Sequence, residues 1–141
     1  MQRANDPART YLRNRILSAS PMELIIILYE GGITALKKAK ECAAVKDRPG
    51  MCEQLIRAQD MLRELRNALD MSRGEIAEGL HRLYSFMVQR LIKANLEKNV
   101  NHIDEVLDML TDLKKTWLTA IENMNEMPKV EVPDNYVDIV N

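Results

Sequence analysis

The fold is decided by the stretch Ser18-Ala19-Ser20-Pro21-Met22-Glu23-Leu24-Ile25-Ile26-Ile27-Leu28-Tyr29-Glu30-Gly31-Gly32. It predicts the start of a long helix, because Ser20 is placed as N-cap, Pro21 has its φ preset at the first position, and Glu23 can bond back to the cap. From Leu24 to Tyr29 no residue is polar, so apolar side chains surround nearly the whole helix. Something besides the core must therefore cover them.

The composition describes one ordinary globular domain. The 141 residues are 46% hydrophobic and 29% charged, and a net charge of -1 with interspersed signs argues against a nucleic-acid partner. Cys42 and Cys52 form no CxxC pattern, so we expect two buried or half-buried thiols, although a disulfide is geometrically possible. No apolar stretch is long enough to span a bilayer or to serve as a secretion signal, so we expect a cytoplasmic protein without membrane insertion.

Helical periodicity divides the rest of the chain into an arm, four helices and a tail. Residues 1–19 form an arm with a basic tilt, with one or two helical turns. The turn Lys46–Gly50 ends the first long helix, and Pro128 ends the last. The predicted helices span Pro21–Val45, Met51–Met71, Glu75–Glu97 and His102–Glu126, with Asn101 as the cap of the last. The expected domains are thus an arm 1–19, an all-α, antiparallel up-down four-helix bundle 20–126 and an extended C-terminal tail 127–141.

Each helix has an apolar stripe suited to a bundle core. The cleanest is in the second long helix, with Leu55, Ala58, Leu62, Leu65 and Leu69. The expected core stripes of the other three helices are Ile25, Leu28, Gly32, Leu36, Ala39 and Ala43; Ile76, Leu80, Leu83, Met87, Leu91 and Ala94; and Ile103, Val106, Leu110, Leu113, Trp117, Ile121 and Met124.

Further apolar side chains lie beside these stripes. They are Met22, Ile26, Tyr29 and Ile33 in the first long helix, Tyr84, Val88 and Ile92 in the third, and Leu107 and Leu118 in the fourth. The arm, the tail or a homodimer would cover such a surplus; so would an amphipathic segment of another protein, bound helix-in-groove. Gly31 and Gly32 in mid-helix are unfavourable by about 1 kcal/mol each against alanine, which suggests the close approach of another helix or a ligand backbone.

Patterns for catalysis or metal binding are incomplete. Glu78 and His81 match the Glu-x-x-His spacing of di-iron bundles, but the second copy fails because Asn99 stands where His102 needs a glutamate. We expect no metal, no cofactor and no enzyme activity. The arginines of the arm indicate only weakly that it binds an anionic membrane or nucleic acid.

A set of short matches, in order along the chain, is similar to a known family. They are Tyr11 and Ile16, Ala19-Ser20-Pro21 with Glu23-Leu24, Leu28-Tyr29-Glu30-Gly31, Ile56-Arg57-Ala58-Gln59, Glu64-Leu65, Leu83-Tyr84, Met87, Leu91, Ala94-Asn95, Glu105-Val106, Leu113 and Trp117. Between Tyr11 and Ile121 the chain resembles FliS, the family of flagellin-specific export chaperones. The apolar tail after Pro128 matches nothing in the family pattern; it can fold back on the bundle or bind in trans.

The resemblance implies a cytoplasmic chaperone that binds the C-terminal segment of flagellin, prevents premature polymerisation and assists type III export. Flagellar export-gate components are further partners that it suggests, and a homo-oligomer or an adaptor for another amphipathic segment is the alternative. Tyr11 and Ile16 of the arm are expected to cover the client surface until the client displaces them. From helical phase, the expected client-binding residues are Ile26, Tyr29, Ile33, Tyr84, Val88, Ile92, Leu107 and Leu118.

Overall fold

The computed structural model describes residues 6–126, without the side chains of Arg73 and residues 124–126. They form five α-helices and one short 3-10 helix, Met71–Arg73. The α-helices are α1 (Pro7–Ser18), α2 (Pro21–Ala44), α3 (Arg48–Asn67), α4 (Glu75–Glu97) and α5 (Val100–Glu126). The expected tail, residues 127–141, lies outside the described residues. Within residues 6–126, no helix combines the length and apolar character needed to cross a membrane.

The predicted cap of α2 is present. The Oγ of Ser20 accepts a hydrogen bond from the Glu23 N–H at 3.2 Å, and the Glu23 carboxylate is bonded to the Ser20 hydroxyl at 3.2 Å. The arm forms a longer helix than one or two turns because Asp6 caps it, accepting from the Ala8 N–H at 3.0 Å. Helix α4 begins and ends where the sequence predicts.

The predicted bounds of α3 were wrong at both ends. The helix starts at Arg48, inside the expected turn, because the Asp47 carboxylate accepts from the Gly50 N–H at 3.0 Å and Pro49 fits a first helical turn. It ends at Asn67, and the chain then enters the 3-10 helix, which is capped by Asp70.

Helix α4 has no side-chain cap, since Gly74 at φ 89° precedes it. The predicted cap of α5 needs correction. Helix α5 starts at Val100, before Asn101, because Asn99 accepts from the Asn101 N–H at 2.9 Å.

Helices α2 to α5 form an antiparallel up-down bundle, which confirms the predicted fold class. Consecutive helices pack together, and α5 closes the ring against α2. Along α2 and α5 the contacts run in opposite directions: Lys40 pairs with Asp104 at 2.6 Å, and Tyr29 bonds to Trp117 at 2.8 Å. Each of the four helices therefore has two neighbours, whereas α1 lies outside and contributes no buried residue.

The core confirms the α3 stripe and most of α5, and it corrects the phase of α2 and α4. All five predicted α3 residues are buried, as are Ile103, Val106, Leu110 and Trp117. Ile76 was expected in the core but is 52% exposed, and Leu28, Ala43, Leu80 and Leu83 are only half-buried. The buried faces are instead Ile25, Ile26, Tyr29, Gly32, Ala35, Leu36 and Ala39 of α2 and Ala77, Tyr84, Met87, Val88, Leu91 and Ala94 of α4. A helix between two neighbours buries a face wider than one stripe.

The glycine pair of α2 lies where two other helices approach closely. A Cβ on Gly32 would lie 3.2 Å from Leu110 Cδ1 of α5, and one on Gly31 would lie 3.2 Å from Met61 Cε of α3. The expected close approach by another helix is confirmed.

Candidate functional site

A groove of about 690 Å³ lies on the outer face of α2, between α1 and α3. It is open to solvent, and helix α5 contributes only Lys114 to its rim. Its apolar lining is Leu12 and Ile16 of α1, Ile27, Leu28, Gly31, Ile33 and Ala35 of α2, and Met61 of α3. This is the third face of α2, turned away from the bundle core, and it carries large apolar side chains because Leu24 to Tyr29 includes no polar residue.

Helix α1 lies along the groove without filling it. Leu12 and Ile16 line the groove but remain 44% and 42% exposed. An ion pair holds the helix: Arg15 lies 2.8 Å from the Glu30 carboxylate, whose other oxygen is 3.4 Å from Lys114 Nζ. Such partly exposed pairs contribute roughly 0–1 kcal/mol, so the attachment of α1 is weak.

The rim of the groove is cationic. Its charged lining is Arg15, Lys37, Lys38, Arg57 and Lys114 against the single acid Glu30, which gives five positive charges less one, or +4. Among residues 6–126 no carboxylate forms an ion pair with Lys37, Lys38 or Arg57. The groove therefore offers an apolar floor beside three cations that no described carboxylate neutralises.

One polar atom at the groove has no partner within the described part of the chain. The side-chain oxygen of Gln54 is buried there and accepts no hydrogen bond. A buried acceptor without a donor is unfavourable by about 1–3 kcal/mol.

Tyr29 and Tyr84, two of the predicted client-binding residues, lie in the centre of the bundle with no exposed surface. Their hydroxyls are 2.6 Å apart, and the indole N–H of Trp117 donates to the Tyr29 oxygen at 2.8 Å. Burial raises the pKa of both phenols, that of Tyr84 to about 12, and the neighbouring Tyr84 raises the pKa of Tyr29 further. This Tyr29–Tyr84–Trp117 cluster joins α2, α4 and α5.

The other predicted residues are dispersed. Ile26 and Val88 are buried in the core, and Ile92 and Leu107 are half-buried against it. Leu118 is 45% exposed and lies outside the groove, so Ile33 is the one predicted client-binding residue that lines it. In the arm, Ile16 lines the groove as expected of a cover, but Tyr11 is 69% exposed and Leu12 takes its place.

Sequence reasoning missed Ile27, Leu28 and Met61 as groove residues. A usable indication was present, since Ile27 falls on neither of the two stripes assigned to α2. Leu28 was assigned to the core stripe of α2, and Met61 does not belong to the core stripe of α3.

Within residues 6–126 no group of three or more His, Cys, Asp or Glu side chains could hold a metal ion. Cys42 and Cys52 are free, half-buried thiols, as expected. The Sγ of Cys52 accepts a hydrogen bond from the Asn95 amide at 3.3 Å.

The comparison with known families gives a match over residues 4–124 to the model described as "Flagellar protein FliS". The chain belongs to the FliS family. It is 33% identical over 112 residues to the flagellar secretion chaperone FliS of Salmonella typhimurium, covering 78% of this chain and 83% of that protein. It is 29% identical over 118 residues to the Bacillus subtilis protein of the same name, covering 84% and 88%.

A solved structure described as a flagellar chaperone from bacteria shares the fold. It superposes with a TM-score of 0.69 at 21% identity, covering 84% of this chain and 99% of the other. The resemblance found in the sequence is confirmed. FliS proteins are chaperones, so the expectation that the chain is not an enzyme is also confirmed.

Proposed function

We propose that this flagellar export chaperone binds the C-terminal segment of flagellin in the cytoplasm, prevents its premature polymerisation and assists its type III export. The observation that carries the client assignment is the open apolar groove along α2 in a member of the FliS family. A disordered, amphipathic protein segment is the kind of client that an elongated apolar groove takes.

The proposed client site is the groove floor, with Ile27, Leu28, Ile33 and Met61 as its main contacts. Side chains in such a groove gain about 25 cal/mol for each Å² of apolar surface removed from water. Part of this gain offsets the cost of ordering the client, so the binding should show a negative heat-capacity change. Tyr29, Tyr84, Ile26 and Val88 would support the groove from inside the bundle and make no contact with the client.

Helix α1 acts in this proposal as a displaceable cover. It buries no residue of its own, and Arg15 holds it through an ion pair at the protein surface. Leu12 and Ile16 line the same groove that a client would use. Deleting residues 1–17 should therefore tighten client binding, and an unchanged Kd would contradict the cover.

Calorimetric titration with the C-terminal segment of the host's flagellin tests the function. We expect a one-to-one complex with submicromolar Kd and a large negative heat-capacity change on binding. If no heat is observed at several temperatures, and again after removal of the arm and of the tail, the proposal that the flagellin segment is the client would be contradicted. In that case, light scattering would test whether a second copy of the chain covers the groove.

A further inference from the structure

Helix α1 covers the groove only in part, since Leu12 and Ile16 remain partly exposed and the floor residues are half-buried or buried. Lys37, Lys38 and Arg57 lie at its edge, and no carboxylate among residues 6–126 neutralises them. An extended peptide that carries both apolar and acidic side chains would complement the floor and this edge.

The chain itself has such a segment, residues 127–141. It contains two prolines, Pro128 and Pro133, and proline disfavours the interior of a helix. Its side-chain charge is -2, from three acids and one lysine, against +4 at the groove. Seven of its fifteen residues are large and apolar: Met127, Val130, Val132, Tyr136, Val137, Ile139 and Val140.

The segment starts within reach of the groove. Because α5 runs antiparallel to α2 with Trp117 beside Tyr29, Glu126 lies toward the start of α2. Gly31 is two residues from Tyr29 and Glu126 is nine from Trp117 in the opposite direction, so at 1.5 Å per residue they lie about 17 Å apart along the bundle. Crossing α2 to its outer face adds about 10 Å, the diameter of a helix. Fifteen extended residues span up to about 50 Å, enough to reach the groove and to run along it.

We propose that residues 127–141 dock in cis into the α2 groove, with the acids Asp134 and Asp138 facing Lys37 and Lys38. A tail tethered beside its site has an effective concentration in the millimolar range, so weak contacts suffice to keep it bound. Docking of the tail does not require a client. Only its consequence, that a client must displace the tail, rests on the proposed function.

The test compares isoleucine methyl NMR spectra of the full chain and its variants. Ile16, Ile27 and Ile33 report on the groove, and Ile76 and Ile103 report on the remote bundle. In the double variant Asp134→Lys/Asp138→Lys the groove methyl signals should move while the remote signals stay. A chain that ends at Glu126 should move the groove signals in the same direction.

Two further variants separate charge pairing from general effects. Lys129→Glu makes the tail more acidic and should leave the groove signals at their wild-type positions. Adding Lys37→Glu/Lys38→Glu to the double variant exchanges the charges and should return the groove signals toward the wild type. Both lysines are exposed, so the exchange leaves the fold intact.

Two outcomes would overturn the inference. Groove signals that coincide in the wild type, the double variant and the shortened chain would show that the tail is not docked. Groove signals that depend on protein concentration would mean that the tail of a second copy occupies the groove. If docking is observed and the flagellin segment gives no heat, the tail inference stands and the proposed function fails.

Discussion

The inner and outer faces of α2 carry similar apolar residues but have different partners. On the inner face, Tyr29 and Leu36 have no exposed surface, and Tyr29 is bonded to both Tyr84 and Trp117. On the outer face, Ile27, Leu28 and Ile33 line an open groove that the arm covers in part. The difference teaches that hydrophobicity alone does not identify a binding surface. The side chains available to a partner are those that the two neighbouring helices of α2 leave uncovered.

The largest expected effect comes from removing the inner aromatic cluster. Tyr29→Ala should lower the free energy of unfolding by about 3–5 kcal/mol, because it leaves a cavity and removes a hydrogen-bond acceptor of the Trp117 N–H. Tyr11→Ala is the matched control at a site that is 69% exposed, and it should change the free energy by less than about 0.5 kcal/mol. Urea unfolding measures both. Equal losses would remove the distinction between buried and exposed tyrosines.

Alkaline pH should lower the free energy of unfolding, because it ionises the buried tyrosines of the inner face. The pKa of Tyr84 rises from 10.0 to about 12 in the folded protein, so the unfolded chain loses this proton first. The stabilising effect is complete below pH 10 and is lost as the pH rises toward 12, by about 2–3 kcal/mol. The raised pKa of Tyr29 acts in the same direction.

The Tyr84→Phe variant tests this pH dependence. It should be less stable than the wild type by about 1 kcal/mol at pH 9, because the Tyr29 hydroxyl loses one of its two hydrogen-bond partners. The difference should shrink between pH 10 and pH 12, since the variant lacks one of the two titrating phenols. Urea midpoints at each pH measure it, with Tyr11→Phe as the exposed control, and a constant difference would contradict the explanation.

The bundle could be predicted from the sequence, whereas the site largely could not. The α3 residues Leu55, Leu62 and Leu65 stand in a polar background, so their spacing identifies one face. In α2 the run from Leu24 to Tyr29 has no polar residue, and helical phase cannot show which side meets α3, α5 or solvent. Ile26 and Tyr29 were therefore assigned to a client although they pack in the core. The position of α1 depends on the ion pair between Arg15 and Glu30, two residues that are distant in sequence.

Gly31 and Gly32 are adjacent in α2, but a methyl group added at each would meet a different neighbouring helix. Gly32→Ala should destabilise by about 1 kcal/mol, since its methyl would press on the buried Leu110 and overpacking outweighs the better helix propensity. Gly31→Ala should stabilise by up to about 1 kcal/mol, because only the mobile end of Met61 must move. Thermal unfolding decides between them, and shifts of the same sign would contradict the assigned faces.

The smallest expected effect concerns the attachment of α1. Glu30→Gln should change the free energy of unfolding by less than about 1 kcal/mol but should speed amide hydrogen exchange in residues 8–18. Asp104→Asn is the matched control, since it breaks the ion pair with Lys40, which joins α2 and α5 as the Glu30–Lys114 pair does. Faster exchange in α1 with both variants, or with neither, would show that Glu30 does not hold the arm.

The central claim is that the client binds the outer face of α2, and paired titrations of Ile33→Asp and Ile76→Asp test it most directly. Ile33 lines the groove, whereas Ile76 is a 52% exposed isoleucine at the start of α4, outside the groove. With the fold verified by circular dichroism, Ile33→Asp should weaken binding of the flagellin C-terminal segment at least tenfold, about 1.4 kcal/mol, and Ile76→Asp should leave Kd within a factor of two of the wild type. Equal affinities for both variants would contradict the account.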